Sequence, residues 1–149
     1  MLKIRFILLI AIGTLGLSLD AMSQCSCEPR LSIEDHFKKA DIVFAGKVVS
    51  TKLLENDGLP GPVLIVEFEV MNVWKVQTRK RITVQELRGS LEGFEQDSKW
   101  LVYASKTPDE RLQLFRGCCS RTKPLSVAKA QGDIKAFGRM GAKEMKIID

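Results

Sequence analysis

The chain has 149 residues, of which 45% are hydrophobic and 28% charged, a balance that excludes long disorder and fibrous repeats. Its formal charge of +5 is too small to point to nucleic acid, and its single histidine argues against a histidine-based metal enzyme. No G-x-G-x-x-G, G-x-x-x-x-G-K-[ST] or H-E-x-x-H occurs, which removes the common nucleotide and zincin signatures.

Residues 1–23 read as an export signal. Lys3 and Arg5 supply a positive start, and an apolar run over 6–19 follows, too short to span a bilayer. Ala21 and Ser23 are the small residues a signal peptidase selects, so the cut is expected after Ser23, leaving Gln24 first. Gln24 is not small, which disfavours a lipid anchor on Cys25. The exported part, of charge about +4, is therefore expected to be secreted or periplasmic, without a membrane span.

Four cysteines follow in two tight pairs, Cys25 with Cys27 and Cys118 with Cys119. Export brings them into an oxidising compartment. A bridge within either pair needs a strained ring or a distorted peptide, so two parallel bridges between the pairs are expected. Both cross-pairings satisfy this, and Cys25–Cys118 with Cys27–Cys119 is preferred. One such bridge closes a loop of 92 residues, worth about 4–5 kcal/mol in the chain-entropy model. A four-thiolate metal site is the rival, but C-x-C plus C-C departs from the usual zinc spacing. No cofactor and no metal of its own is expected.

Ser32 and Asp35 fit a capping box for a short helix on which Ile33 and Phe37 share a face. A strand over 42–49 puts Ile42, Phe44 and Val48 on one side, and Gly46 inside it suggests a bend or bulge. The stretch 56–62 is a loop. A strand over 63–74 alternates, with Val66, Phe68 and Val70 inward and Glu67 and Glu69 outward. Further strands are expected over 82–87, 100–104 and 111–116, with a loop over 88–97 and a turn over 107–110. After Pro124 a helix with Ser126 as its cap carries Val127, Ala130, Ile134 and Phe137 on one side and ends at Gly138. The tail, 139–149, reads as frayed, Met145 and Ile147 being too sparse for a core. The fold class is mainly β, a five-stranded closed barrel with a short N-terminal and a C-terminal helix, and residues 24–138 form one domain.

Two features weigh against enzymatic chemistry. His36 would need a free cysteine to form a nucleophilic pair, and it lies between Asp35 and Phe37 on a polar helix face. Glu67 and Glu69, two apart on one strand face, have the spacing of ordinary solvated carboxylates. The basic runs are Arg79, Lys80 and Arg81, and Arg116, Arg121 and Lys123. With Phe44, Phe68, Trp74, Trp100 and Phe115 they constitute the case for an OB-barrel nucleic-acid binder, but the rings sit at core-like alternating positions. No nucleic acid is expected.

Cys25-Ser26-Cys27-Glu28-Pro29, a short helix, and then Ala40-Asp41-Ile42-Val43-Phe44-Ala45-Gly46-Lys47-Val48 resemble the opening of tissue inhibitors of metalloproteinases and of the wider netrin-like, OB-fold domain family. Val73-Trp74-Lys75, Trp100-Leu101-Val102-Tyr103-Ala104 and Cys119-Ser120-Arg121-Thr122 with Lys123-Pro124-Leu125 continue the likeness. Departures exist: the family's mid-chain cysteine is missing around Ser90-Leu91-Glu92-Gly93, and the second cysteine-rich domain of the animal inhibitors is absent. The resemblance implies a protein partner, specifically a zinc metalloprotease. Cys25, as first residue, would chelate that partner's zinc through its amine and carbonyl. Ser26 would enter the specificity pocket, and Cys27 and Pro29 would hold the segment extended. A remaining Gln24 turns the Cys25 nitrogen into an amide, a poor ligand. The alternative is a non-inhibitory extracellular interaction module of the same fold.

Overall fold

The computed structural model describes residues 31–55, 61–87, 93–114 and 120–148. The stretch expected to be an export signal, the segment 25–29 and all four cysteines lie outside the described residues, as do Phe115 and Arg116.

Helix α1, Ile33–Lys39, begins as its sequence dictates. Ser32 Oγ accepts from the Asp35 amide at 3.1 Å, and the Asp35 carboxylate accepts from the Ser32 amide at 3.1 Å. Strands β1, Ile42–Leu54, and β2, Val63–Lys75, form a long antiparallel hairpin. Strands β3, Arg81–Leu87, β4, Lys99–Lys106, and β5, Leu112–Leu114, complete the sheet. β2 pairs with β3, β3 runs parallel to β5, β5 pairs with β4, and β4 returns to β1. The ring closes, giving the expected five-stranded OB-fold-like barrel with one early and one C-terminal helix. Helix α2 spans Ala128–Arg139.

Alternation along the strands sorts the side chains into two apolar layers. Phe44, Val48, Val66, Phe68, Val84, Phe94, Trp100 and Val102 fill the barrel. Phe44 meets Phe68 edge-on at 5.5 Å between ring centres, and Phe94 lies 4.4 Å from Trp100. Val43, Leu101 and Tyr103 point the other way, under α1 and α2, and pack with Ala130 and Phe137. Gly46 is where β1 bends: its register against β2 shifts between Ala45 and Gly46. A Cβ there would stand 3.0 Å from the Phe44 ring and 3.2 Å from the Glu69 carbonyl.

Five details depart from the sequence reading. β1 runs to Leu54, carried past its apolar residues by pairing with β2. A two-residue strand β6, Lys123–Pro124, adds to β4. α2 is preceded by Val127, without a side-chain cap, rather than capped by Ser126. It passes Gly138 and stops at Met140, where Gly141 takes φ +76° and the Ala142 amide returns to the Phe137 carbonyl at 3.0 Å. Beyond it, the tail that its sparse apolar residues marked as frayed is laid along the barrel. Met145 bridges to Val73, Ile148 bridges to Arg79, and Ile147 packs on the barrel core. Backbone pairing, which leaves no apolar periodicity, holds it.

Candidate functional site

Arg121 and Lys123, which follow the second cysteine pair, meet around a buried carboxylate, with His36 of α1 close by. Asp133 on α2 is 1% exposed. Its Oδ2 accepts from the Tyr103 hydroxyl at 3.0 Å and from Arg121 Nε at 3.1 Å, and its Oδ1 accepts from Arg121 Nη2 at 2.9 Å. Lys123 Nζ lies 3.4 Å from Oδ2. The Arg121 fork is therefore bidentate, the geometry a guanidinium makes best. Two cations face one anion, so the cluster carries an excess positive charge.

Thr122, between the two cations, turns its hydroxyl into the sheet. Its Oγ1 accepts from the Tyr103 amide at 3.0 Å and donates to the Tyr103 carbonyl at 3.2 Å. This stands in for a strand partner between the pairings that β4 makes with β6 and with β5. The stretch just after Cys119 is thus fixed by Arg121 on α2, by Thr122 on β4 and by Lys123 in β6.

α1 closes over the same place. His36 meets the Tyr103 ring edge-on at 6.5 Å, and Phe37 packs on Phe137 at 5.1 Å. The helix is tied at its C-terminus by Lys75, whose Nζ donates to the carbonyls of Phe37, Lys38 and Ala40 at 2.8, 2.8 and 2.5 Å. A cation on the last carbonyls of a helix satisfies both their hydrogen bonds and the dipole.

Burial governs the protonation of the cluster. It pushes the Tyr103 hydroxyl far above its ordinary value, reinforced by the Asp133 charge. Burial holds His36 below 6.5, helped by Arg121 and opposed by Asp133. Lys123 is lowered because burial outweighs the pull of Asp133, while Arg121 is raised by its hydrogen bonds to that carboxylate. His36 is thus half-buried against Tyr103 rather than a member of a solvated polar face.

The sequence placed Arg121 and Lys123 in a basic run of surface type; both turn inward onto Asp133. Asp133 itself was passed over. The signal was present: Ala130, Asp133 and Phe137 share one helical stripe, and a carboxylate in an apolar stripe requires a cation. Glu67 and Glu69 each face a cation. Glu67 accepts from Ser50 at 3.0 Å and faces Arg81 at 3.5 Å, while Glu69 faces Lys47 at 3.7 Å. Phe44, Phe68 and Trp100 are buried, and Trp74 packs beneath the helices on Phe137, so none of them is a stacking surface. Cys25, Ser26, Cys27, Glu28, Pro29, Cys118 and Cys119 lie outside the described residues.

Among the described residues, no group of three or more metal-ligating side chains is assembled, and no helix is long and apolar enough to cross a membrane. Neither family models nor curated proteins yield a match to the chain.

Proposed function

We propose that the chain is an exported, TIMP-like and netrin-like binding module, not an enzyme, that engages a protein partner through the segment containing Cys25, Ser26, Cys27, Glu28 and Pro29. One observation carries this reading. His36, nine positions after Cys27, lies against Tyr103, and Arg121, two positions after Cys119, lies against the same tyrosine and its partner Asp133. Helix α1, which follows the first cysteine pair, and the stretch that follows the second thus meet at one tyrosine, and cross-bridges between the pairs are compatible with that meeting. Such bridges would present the N-terminal segment as a rigid, extended arm on a fixed platform. A preorganised arm binds without the ordering cost that a free terminus bears. The barrel fits the proposed kinship, although this fold hosts many functions.

Where Cys25 is the first residue, the arm's chemistry is zinc ligation on a metalloprotease partner. The open position of a catalytic zinc takes a neutral nitrogen or an oxygen in place of water. The test is titration of the purified exported protein against a metalloprotease catalytic domain, with the first residue determined by sequencing. Protein beginning at Cys25 is expected to inhibit stoichiometrically, and acetylation of its amine to abolish inhibition. Equal inhibition by protein beginning at Gln24 would contradict chelation. The small residues at positions 21 and 23 favour that longer terminus, and partner binding without inhibition would then establish the non-inhibitory module.

A further inference from the structure

The outer face of the barrel carries a second feature that the N-terminal arm does not use. A groove of about 810 Å³ lies between two basic walls. One wall is the connection from β2 into β3, with Arg79 and Arg81, and the other is the β4–β5 turn, with Lys106 and Arg111. Among its described lining residues Glu110 is the single acid. None of the Asp133 cluster takes part.

Both walls are fixed at the backbone. The Ile148 amide donates to the Thr78 carbonyl at 2.8 Å and the Lys80 amide to the Ile148 carbonyl at 2.9 Å, so the tail clamps the chain on either side of Arg79. Across the groove the Thr107 amide donates to the Arg111 carbonyl at 2.8 Å, and the Lys106 amide to the Asp41 carboxylate at 2.7 Å. Exposed Arg81 and Thr83 alternate along β3 with buried Ile82 and Val84, which turns them to the outer face. The tail and β5 take the strand edge here, so the groove offers a ligand side chains rather than backbone. A charged surface held in place in this way binds without an ordering cost.

The charge already present selects the ligand. Arg81 faces Glu67 at 3.5 Å, Lys106 faces Glu110 at 2.9 Å, and Arg111 pairs with Asp109, all in exposed contacts of little strength. An incoming carboxylate would only repeat what these cations have. A phosphate group carries a charge of about −1.5 to −2 and three acceptor oxygens, so it can take a guanidinium fork while the carboxylate stays in place. Cations on both walls match a ligand with such a group at each side. No aromatic ring lines the groove, so it lacks the stacking surface of a nucleobase site.

We propose that this groove binds a compact polyphosphate, a ligand with two or more phosphate groups that bridges Arg79 and Arg81 on one wall to Lys106 and Arg111 on the other, free in solution or carried on a lipid headgroup.

The probe is inorganic tripolyphosphate, titrated into the full chain at fixed ionic strength and read by calorimetry. Saturable one-to-one binding is expected, with orthophosphate, which reaches one wall only, at least about tenfold weaker. Arg79→Gln and Arg111→Gln, one from each wall, should each weaken tripolyphosphate about tenfold, while Lys38→Gln on α1 should leave it unchanged. Circular dichroism checks that the variants are folded. Flotation with phosphatidylcholine vesicles containing a bisphosphorylated lipid separates the two sources. Recovery with the vesicles places the phosphates on a headgroup, and tripolyphosphate binding without recovery places them in solution. Absence of saturable binding, equal affinity for citrate at matched charge, or unchanged affinity in both groove variants would overturn the assignment.

Discussion

The barrel interior and the layer beneath the two helices are built on different principles. Inside the barrel, buried side chains such as Phe44, Phe68, Val84 and Val102 meet only other apolar groups. Stability there is spread over many contacts. Beneath α1 and α2 the apolar layer is thinner, and its position is set by a few specific polar ties: Asp133 to Arg121, Lys123 and Tyr103, and Lys75 to the end of α1. The first region makes the fold, and the second seats the two helices and the stretch after Cys119 on it.

The comparison breaks most visibly in the barrel. Phe44→Ala should cost about 4 kcal/mol in denaturant unfolding, through lost transfer energy and the cavity left behind. A loss near that of an exposed substitution would refute close packing around this ring. Asp133→Ala should cost about 3 kcal/mol, because it leaves two cations and a hydroxyl without their partner. Here a second readout separates the regions: hydrogen exchange should accelerate in α1 and α2 more than in β1 and β4. Uniform acceleration would mean the cluster belongs to the common core.

Gly46→Ala sharpens the account of the bend. Its Cβ would press on the Phe44 ring and the Glu69 carbonyl, and a loss of about 1–3 kcal/mol is expected. Lys75→Met keeps the stem but removes three hydrogen bonds to α1 carbonyls, and about 1 kcal/mol should be lost, with fraying confined to that helix.

The smallest effect is a pH dependence. In the fold, burial and Arg121 hold His36 below its ordinary value of 6.5, so the unfolded chain binds the proton more readily. The stabilising contribution is present above 6.5 and is lost as pH falls through the lower folded value. His36→Gln should flatten this acid-side slope in thermal unfolding. An unchanged slope would assign the dependence to other groups.

Much of the fold was legible because its determinants are local or periodic. The capping box at Ser32, the bulge at Gly46 and the alternation of Val66, Phe68 and Val70 each carry their physics in adjacent residues. The two-residue strand at Lys123 and the docked tail were not legible. Both are held by backbone pairing to distant strands, which leaves no pattern in side-chain type. The inward turn of Arg121 and Lys123 was hidden for a related reason: a cation near the surface and one facing a buried acid are the same letters. Only the partner, Asp133, distinguishes them, and it lies on another element.

The most direct test of the proposed arm is peptide mapping of the natively produced protein by mass spectrometry without reduction. The account predicts cystine-linked peptides joining Cys25 and Cys27 to Cys118 and Cys119. Free thiols at these positions, or a bridge closed within either pair, would contradict it.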